Sequence, residues 1–436
     1  MDEFYLTIFF IVILLFFLGS GIWVALSMIG VSTIGMMLFT TRPVGDAMAT
    51  TIWGTASSWT LAALPLFVWM GEILFRTNLS ENLFKGLAPW LTKLPGSLLH
   101  VNVLGCAIFA AISGSSAATV ATVGKMAIPE LRKRNYPEKI IIGTLAGSGT
   151  LGLLIPPSII LIIYGVTVEE SISKLFVAGI IPGIFLALLF MMYVVIWSLF
   201  NKKLMPKTVE NFSFRQKIIN SAELLPIIIL ITAVIGSIYT GIATATEAAA
   251  LGVVGALILS YFQKSLDLTN FKLSILGATK TSCMIIFILA GTTFLSLAMG
   301  FTGLPKNLAL WINSLDLSPY TLIFVLTIFY IILGMFLDGI SAVVLTMAIV
   351  EPMIRQAGFD MIWFGIYLVL VVEMSQITPP VGFNLFVLQS MADKDIYYIA
   401  KAAFPLFLIM ILAVVAIVLF PELALWLPSK MVNPLL

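Results

Sequence analysis

The segments Ser113-Gly114-Ser115-Ser116 and Gly147-Ser148-Gly149-Thr150-Leu151-Gly152, the latter continued by Ile155-Pro156-Pro157-Ser158, interrupt sequence apolar enough to lie in a membrane. In hydrocarbon an unpaired backbone N–H or C=O costs several kcal/mol, so a helix does not break there without a reason. Broken backbone is tolerated where protein buries it or where it lines a cavity. Its freed dipoles then bind an ion or an anion. A second pair of breaks follows, Asp338-Gly339-Ile340-Ser341 and Ser375-Gln376-Ile377-Thr378-Pro379-Pro380. The remainder of the chain reads as the means of holding the two pairs face to face.

Composition sets the class. Apolar residues make up 60% of the chain and charged residues 10%, against about 25% charged in soluble domains. Apolar runs of spanning length recur from Phe4 to Leu427, the pattern of an all-α polytopic membrane protein. Asp2 and Glu3 precede the first run where a cleavable signal peptide would carry basic residues. A net charge of +2, with no basic patch interleaved with aromatics, gives no support for nucleic-acid binding. Cys106 and Cys283 lie in apolar surroundings and read as small core residues rather than a disulfide or metal pair. His100 is the single histidine, which argues against histidine-rich metal sites and Ser-His-Asp chemistry.

In chain order, residues 1–58 read as scaffold: helices over 4–18 and 22–40, then an interfacial arm with Arg42, Asp46 and Trp53. Residues 59–164 form a first transport repeat, with a span over 61–75, a polar basic stretch over 78–95, a re-entrant helical hairpin at about 97–131 and a broken helix over 140–164. Residues 165–281 return to scaffold, with spans over 176–200, 224–239 and 244–262. Residues 282–390 form the second repeat: a span over 282–300, a mixed arm over 301–319 with Pro305, Trp311 and Asp316, a hairpin at about 320–354 and a broken helix over 361–388. Residues 391–436 supply a last scaffold helix and a Pro-bounded tail.

The two repeats match in order and spacing. Met70-Gly71 corresponds to Met299-Gly300, Gly114 to Gly339, and Pro156-Pro157 to Pro379-Pro380. Gly114 to Pro156 is 42 residues and Gly339 to Pro379 is 40. Chance likeness among Gly- and Pro-bearing apolar segments is the competing reading, and three ordered landmarks weigh against it. Charge then decides orientation. With the N-terminus outside, the inner segments are 76–94, 125–139, 201–217, 263–280 and 391–401, which hold 18 of the 23 Lys and Arg. The five outside are Arg42, Lys174, Lys306, Arg355 and Lys430. The positive-inside tendency selects this topology. The first hairpin then enters from the cytoplasm and the second from outside, an inverted repeat suited to alternating access around a midplane site.

The two Gly/Ser hairpin tips, the run Gly152-Leu153-Leu154-Ile155-Pro156-Pro157-Ser158, its partner Ile377-Thr378-Pro379-Pro380, and Ala245-Thr246-Glu247-Ala248-Ala249-Ala250 resemble the large membrane subunit of TRAP (tripartite ATP-independent periplasmic) transporters. The similarity covers nearly the whole chain. It implies a sodium-coupled importer of carboxylate-bearing solutes such as C4-dicarboxylates or sialic acid, working as an elevator in a bacterial inner membrane. It also implies two partners, a small four-helix membrane subunit on a separate chain and a periplasmic substrate-binding protein.

The residues agree with that implication. A hard cation takes oxygen ligands, which carbonyls freed at a break and Ser or Thr hydroxyls supply. One sodium is expected among Ser113, Ser116, Gly152, Ile155 and Pro157, and a second among Gly339, Ser375, Thr378 and Val381. Close helix packing is the competing use of these small residues. The solute is expected between the tips, near Ser113, Ser158 and Asp338. Asp338 would shape the ion field or cap the helix that starts at Gly339, because direct contact with an anion would repel. The solute carboxylate would meet helix N-termini.

Other polar residues have plainer readings. Glu72 pairs with Arg76 one turn on, and Glu247 sits at a helix N-terminus. Glu373 either biases a cation site or caps locally. Arg132-Lys133-Arg134 serves topology and lipid headgroups. Trp23, Trp53, Trp59, Trp69 and Trp311 anchor or pack. Three rival functions stand beside the importer: an ion channel, an intramembrane hydrolase for which Ser113 and Ser158 lack a base, and a stand-alone sodium/dicarboxylate carrier of a related two-hairpin fold.

Overall fold

The computed structural model describes residues 3–77, 79–206, 212–222, 224–303 and 318–431, and every regular element among them is a helix. Among the described residues, five helices are long and apolar enough to cross a membrane, and three bent pairs raise the count to as many as eight. The chain is a polytopic membrane protein.

It opens with α1 (Glu3–Gly19), α2 (Val24–Phe39), the arm α3 (Val44–Ala56), α4 (Ala63–Phe75) and α5 (Leu79–Leu91). The first hairpin is α6 (Leu99–Ser113) and α7 (Ser116–Lys133). The first broken helix is α8 (Glu138–Gly149), the single turn α9 (Leu151–Leu154) and α10 (Ile159–Thr167). Next come α11 (Ile172–Phe200), α12 (Phe214–Ser221), α13 (Leu225–Tyr239), α14 (Ala245–Phe262) and α15 (Leu268–Thr302). The second hairpin is α16 (Pro319–Gly334) and α17 (Gly339–Gln356), and its broken helix is α18 (Met361–Ser375) and α19 (Phe383–Ala392). α20 (Ile396–Leu419) and α21 (Glu422–Ser429) close the chain.

The helix pairs α6–α7 and α16–α17 turn at Gly114 and at 335–338, and three details differ from the sequence reading. The polar stretch over 78–95 is largely the helix α5, amphipathic enough to bury Leu83, Phe84 and Leu91. The inner segment 263–280 is helical from Leu268, capped by Asp267 on the Asn270 N–H, so α15 runs 35 residues without interruption. The first break is also narrower than 147–158. Gly147 and Gly149 remain in or at the end of a helix because their missing side chains admit neighbours: a Cβ at Gly147 would strike Leu406, and one at Gly149 would strike Val120. The chain opens only at 155–158, where Pro156 and Pro157 have no N–H to give. The arm expected over 301–319, with Pro305, Trp311 and Asp316, lies for the most part outside the described residues, as do Lys207 and Lys306. Both cysteines are free, Cys106 buried and Cys283 exposed.

Packing gathers the helices into two groups that touch each other through α4 on α6 and α15 on α17. In one, α2 and α4 lie on α15, and α4 and α13 lie on α14. In the other, the hairpins and broken helices pack together, with α6 on α8, α7 on α19 and α18 on α16 and α17. α11 and α20 belong to this second group by contact. A Cβ at Gly179 of α11 would stand 2.7 Å from the Leu154 carbonyl, and Trp363 Nε1 donates to the Ile417 carbonyl of α20 at 3.1 Å.

Candidate functional site at the hairpin tips

The first tip turns at Gly114, whose φ of +58° is a left-handed conformation that a residue with a Cβ adopts at a cost. Ser115 then starts α7, its hydroxyl accepting the Ala118 N–H at 3.4 Å. This tip is docked on the first break. Ile159 N–H donates to the Gly114 carbonyl at 3.3 Å. A Cβ at Gly114 would lie 2.8 Å from the Pro157 carbonyl, and one at Gly152 would lie 2.5 Å from Ser116 Cα and 2.6 Å from the Ser115 carbonyl. The glycines here let two backbones touch.

The second tip is built in the same way. Asp338 caps α17, one carboxylate oxygen accepting the Ile340 and Ser341 N–H groups at 3.1 Å each. Val381 N–H, inside the second break, donates to the tip carbonyl of Met335 at 3.2 Å. Asn384 N–H closes the break by donating to the Gln376 carbonyl at 3.1 Å. Gly334 has Ser375 against it, where a Cβ would collide with the serine side chain. In both breaks the Pro-Pro peptide is cis. The second tip also meets the first broken helix: a Cβ on Gly339 would sit 2.9 Å from Val372 of α18, 3.6 Å from Ile160 and 3.7 Å from Leu153.

Among the residues expected for the first ion, Ser116, Gly152 and Pro157 lie at the tip–break contact. Ile155 is in the break, with its side chain under Gly183 of α11. The Ser113 hydroxyl is engaged within the hairpin, 2.9 Å from the Thr119 hydroxyl and 3.2 Å from the Ser115 carbonyl. Ser158 is buried, donates to the Leu153 carbonyl and accepts the Leu161 N–H at 3.4 Å, so it ties the break together. Around the second break, Ser375 donates to the Val372 carbonyl at 2.5 Å and Thr378 to the Met374 carbonyl at 2.8 Å. Asp338 is exposed and its described hydrogen bonds are those of a cap. Glu72 pairs with Arg76 at 2.9 Å, and Thr244 with Glu247 forms a capping box on α14.

Two features go beyond the sequence reading. Glu373 is wholly buried with neither carboxylate oxygen hydrogen-bonded, and the polar side chain facing it is Ser116 of the first hairpin. It does not cap its own break. The side-chain amide of Asn384 is likewise buried and unpaired.

The second feature is a pair of arginine ties. Arg132, at the end of the first hairpin, pairs with Glu138 and donates to the Ala392 carbonyl at the end of α19, at 2.8 Å. Arg355, at the end of the second hairpin, pairs with Glu351 at 2.9 Å and donates to the Val168 carbonyl at the end of α10, also at 2.9 Å. Each arginine thus neutralises the carbonyl end of the other half's broken helix. The signal was present in the sequence, since the two arginines lie 18 and 16 residues beyond Gly114 and Gly339.

The comparisons with known proteins concern the chain as a whole. The family model described as "Tripartite ATP-independent periplasmic transporter, DctM component" matches residues 9–423. The C4-dicarboxylate TRAP transporter large permease protein DctM of Pseudomonas aeruginosa is 32% identical over 88% of this chain and 89% of its own length. The isethionate TRAP transporter permease protein DctMQ of Oleidesulfovibrio alaskensis is 31% identical over 84% of this chain and 58% of its own length. Among solved structures, Neisseria gonorrhoeae MtrF aligns with a TM-score of 0.53 at 13% identity, covering 88% of this chain and 83% of that one, which speaks to the fold alone. The chain belongs to the DctM-component family of tripartite ATP-independent periplasmic transporters.

Proposed function

We propose that this chain is the large permease subunit of a sodium-coupled importer of small organic anions, a carboxylate-bearing solute such as a C4-dicarboxylate or sialic acid, in a bacterial inner membrane. The observation that carries the reading is the tip–break contact itself. Two hairpins each rest a tip carbonyl on a break N–H, and a glycine cradle at 152 that one Cβ would fill faces the Ser115–Ser116 backbone. The polar groups nearby are carbonyls, hydroxyls, the carboxylates of Asp338 and Glu373 and the Asn384 amide, a donor set mainly of oxygens that suits sodium rather than a soft metal. Ser116, Gly152, Ile155 and Pro157 would hold one ion, with Ser113 stiffening the tip. Gly339, Ser375, Thr378 and Val381 would hold the other.

The inverted-repeat reading draws support from the matched arginine ties and the matched tip–break hydrogen bonds. The contacts change the division drawn from sequence, which put α4 and the end of α15 with the transport repeats and α11 and α20 with the scaffold: the hairpins and broken helices, with α11 and α20 packed against them, would move as one unit past the α2–α4–α13–α14–α15 group. Ions binding preferentially to the docked tips would shift the population toward the closed unit. Ser158 and Asp338 would shape the solute site by holding the break and the second tip. A small four-helix membrane subunit on a separate chain would be its partner in the bilayer. A periplasmic binding protein would deliver the solute.

The test is uptake by proteoliposomes holding this chain and its small subunit, offered radiolabelled organic acids with and without a sodium gradient and the binding protein. Uptake that needs both supports the proposal. Uptake with sodium alone moves the assignment to a stand-alone carrier, and a sodium leak without solute to a channel.

A further inference from the structure

A cavity of about 990 Å³ opens beside α7, well away from the second hairpin. Most of its lining residues come from four of the five segments that charge assigned to the cytoplasmic side, and Phe75, Ala121, Thr122 and Asn220 lie just beyond them. Four are cationic, Arg76, Lys85, Lys125 and Arg134, and one is acidic, Glu130. Arg76 pairs with Glu72 at 2.9 Å, and Arg134 with Glu130 at 3.7 Å, lying over the Phe84 ring. At the wall stands Thr122, 6% exposed, with a hydroxyl that has no hydrogen-bond partner. A buried hydroxyl without a partner is costly unless something else pairs with it. Thr122 lies six residues beyond Ser116 along α7, about 9 Å at 1.5 Å per residue, so the cavity reaches toward the tip from the inner side.

We infer that this cavity is an anion-holding vestibule on the release route: a small carboxylate leaving the tips pauses there, its charge facing Lys125 and one oxygen accepting the Thr122 hydroxyl. The inference rests on the organic-acid importer reading and adds a second, cytoplasmic resting place to it. Low-dielectric walls lined by one sign of charge raise the local concentration of the opposite sign. A vestibule of this kind would keep the released anion from falling back until it diffuses away.

The experiment uses Thr122→Cys in a Cys283→Ser background, in the complex with the small subunit, with Ala121→Cys, also on the cavity wall, as a second reporter should the first fail to fold. The cytoplasmic face is exposed to an anionic sulfonatoethyl and a cationic trimethylammonium-ethyl methanethiosulfonate at low salt. Each rate is normalised to that with free cysteine. The anionic reagent is expected to be favoured. One cation about 7 Å away in water changes each rate by between two- and threefold in opposite directions, so Lys125→Gln should lower the Thr122→Cys ratio about sevenfold. Succinate should slow both reagents more than chloride at matched ionic strength. A ratio unmoved by Lys125→Gln overturns the inference, as does equal protection by succinate and chloride. If the ratio and protection hold while tripartite uptake fails, the vestibule stands and the importer reading falls. If uptake holds and the ratio is flat, the reverse follows.

Discussion

Replacing Gly152 with alanine is the sharpest probe of the tip–break contact. The added methyl would sit 2.5 Å from Ser116 Cα and 2.6 Å from the Ser115 carbonyl oxygen. Non-bonded carbons are comfortable at about 3.5–4.0 Å, so the tip must retreat by roughly 1 Å. Both neighbours are backbone, so no rotamer change relieves the clash. Overpacking of this kind costs about 1–3 kcal/mol, equivalent to roughly 5- to 150-fold in a binding constant. If sodium binds only to the docked tip, the half-saturating sodium concentration should rise by that factor, and replacement by leucine should abolish uptake. Gly105→Ala, on the same hairpin, meets only Val123 at 3.5 Å, an ordinary contact, and should stay within about twofold of the parent. The assay is sodium-dependent uptake in proteoliposomes, with monodispersity in detergent confirming that each variant is folded. A Gly152→Ala protein with the parent's sodium dependence would refute the reasoning.

Further predictions separate roles that geometry alone leaves joined. Asp338→Asn keeps a good cap while removing the charge, and Asp338→Ala removes both, at about 1 kcal/mol for the cap. Parental uptake from Asn with impaired uptake from Ala assigns capping, whereas equal impairment assigns the charge. Glu373→Gln removes a buried carboxylate that makes no hydrogen bond, so thermal stability in detergent should hold or rise. Sodium-dependent uptake should fall at least tenfold if that charge serves an ion near Ser116, and unchanged uptake would reduce Glu373 to a packing residue.

The class, the two hairpins and the two breaks were all legible in the chain. Glycine, serine and proline have no other ready explanation inside apolar sequence, because hydrocarbon offers the freed backbone no substitute for a helix. The limits of the first break were less legible. Gly147, Gly149 and Gly152 look alike in a sequence, yet the first two seat Leu406 and Val120 side chains while the third admits the backbone of the first tip. Small residues serve both packing and breakage, and only the neighbour decides which.

What the sequence determined by itself was the periodic, local part: apolar length, interruption, a cap at Asp338, Glu247 at a helix N-terminus, and the bias of charge to one side. Tertiary structure decided what depends on residues distant in the chain. It set Glu373 of one half against Ser116 of the other, joined Arg132 to Ala392 and Arg355 to Val168, and gathered α5, α7, α12 and the start of α15 around one basic cavity. It also placed α11 and α20, read from sequence as scaffold spans, directly against the broken helices. An apolar span carries no local mark of its partner, because lipid and protein neighbours satisfy the same side chains, and only close packing tells them apart.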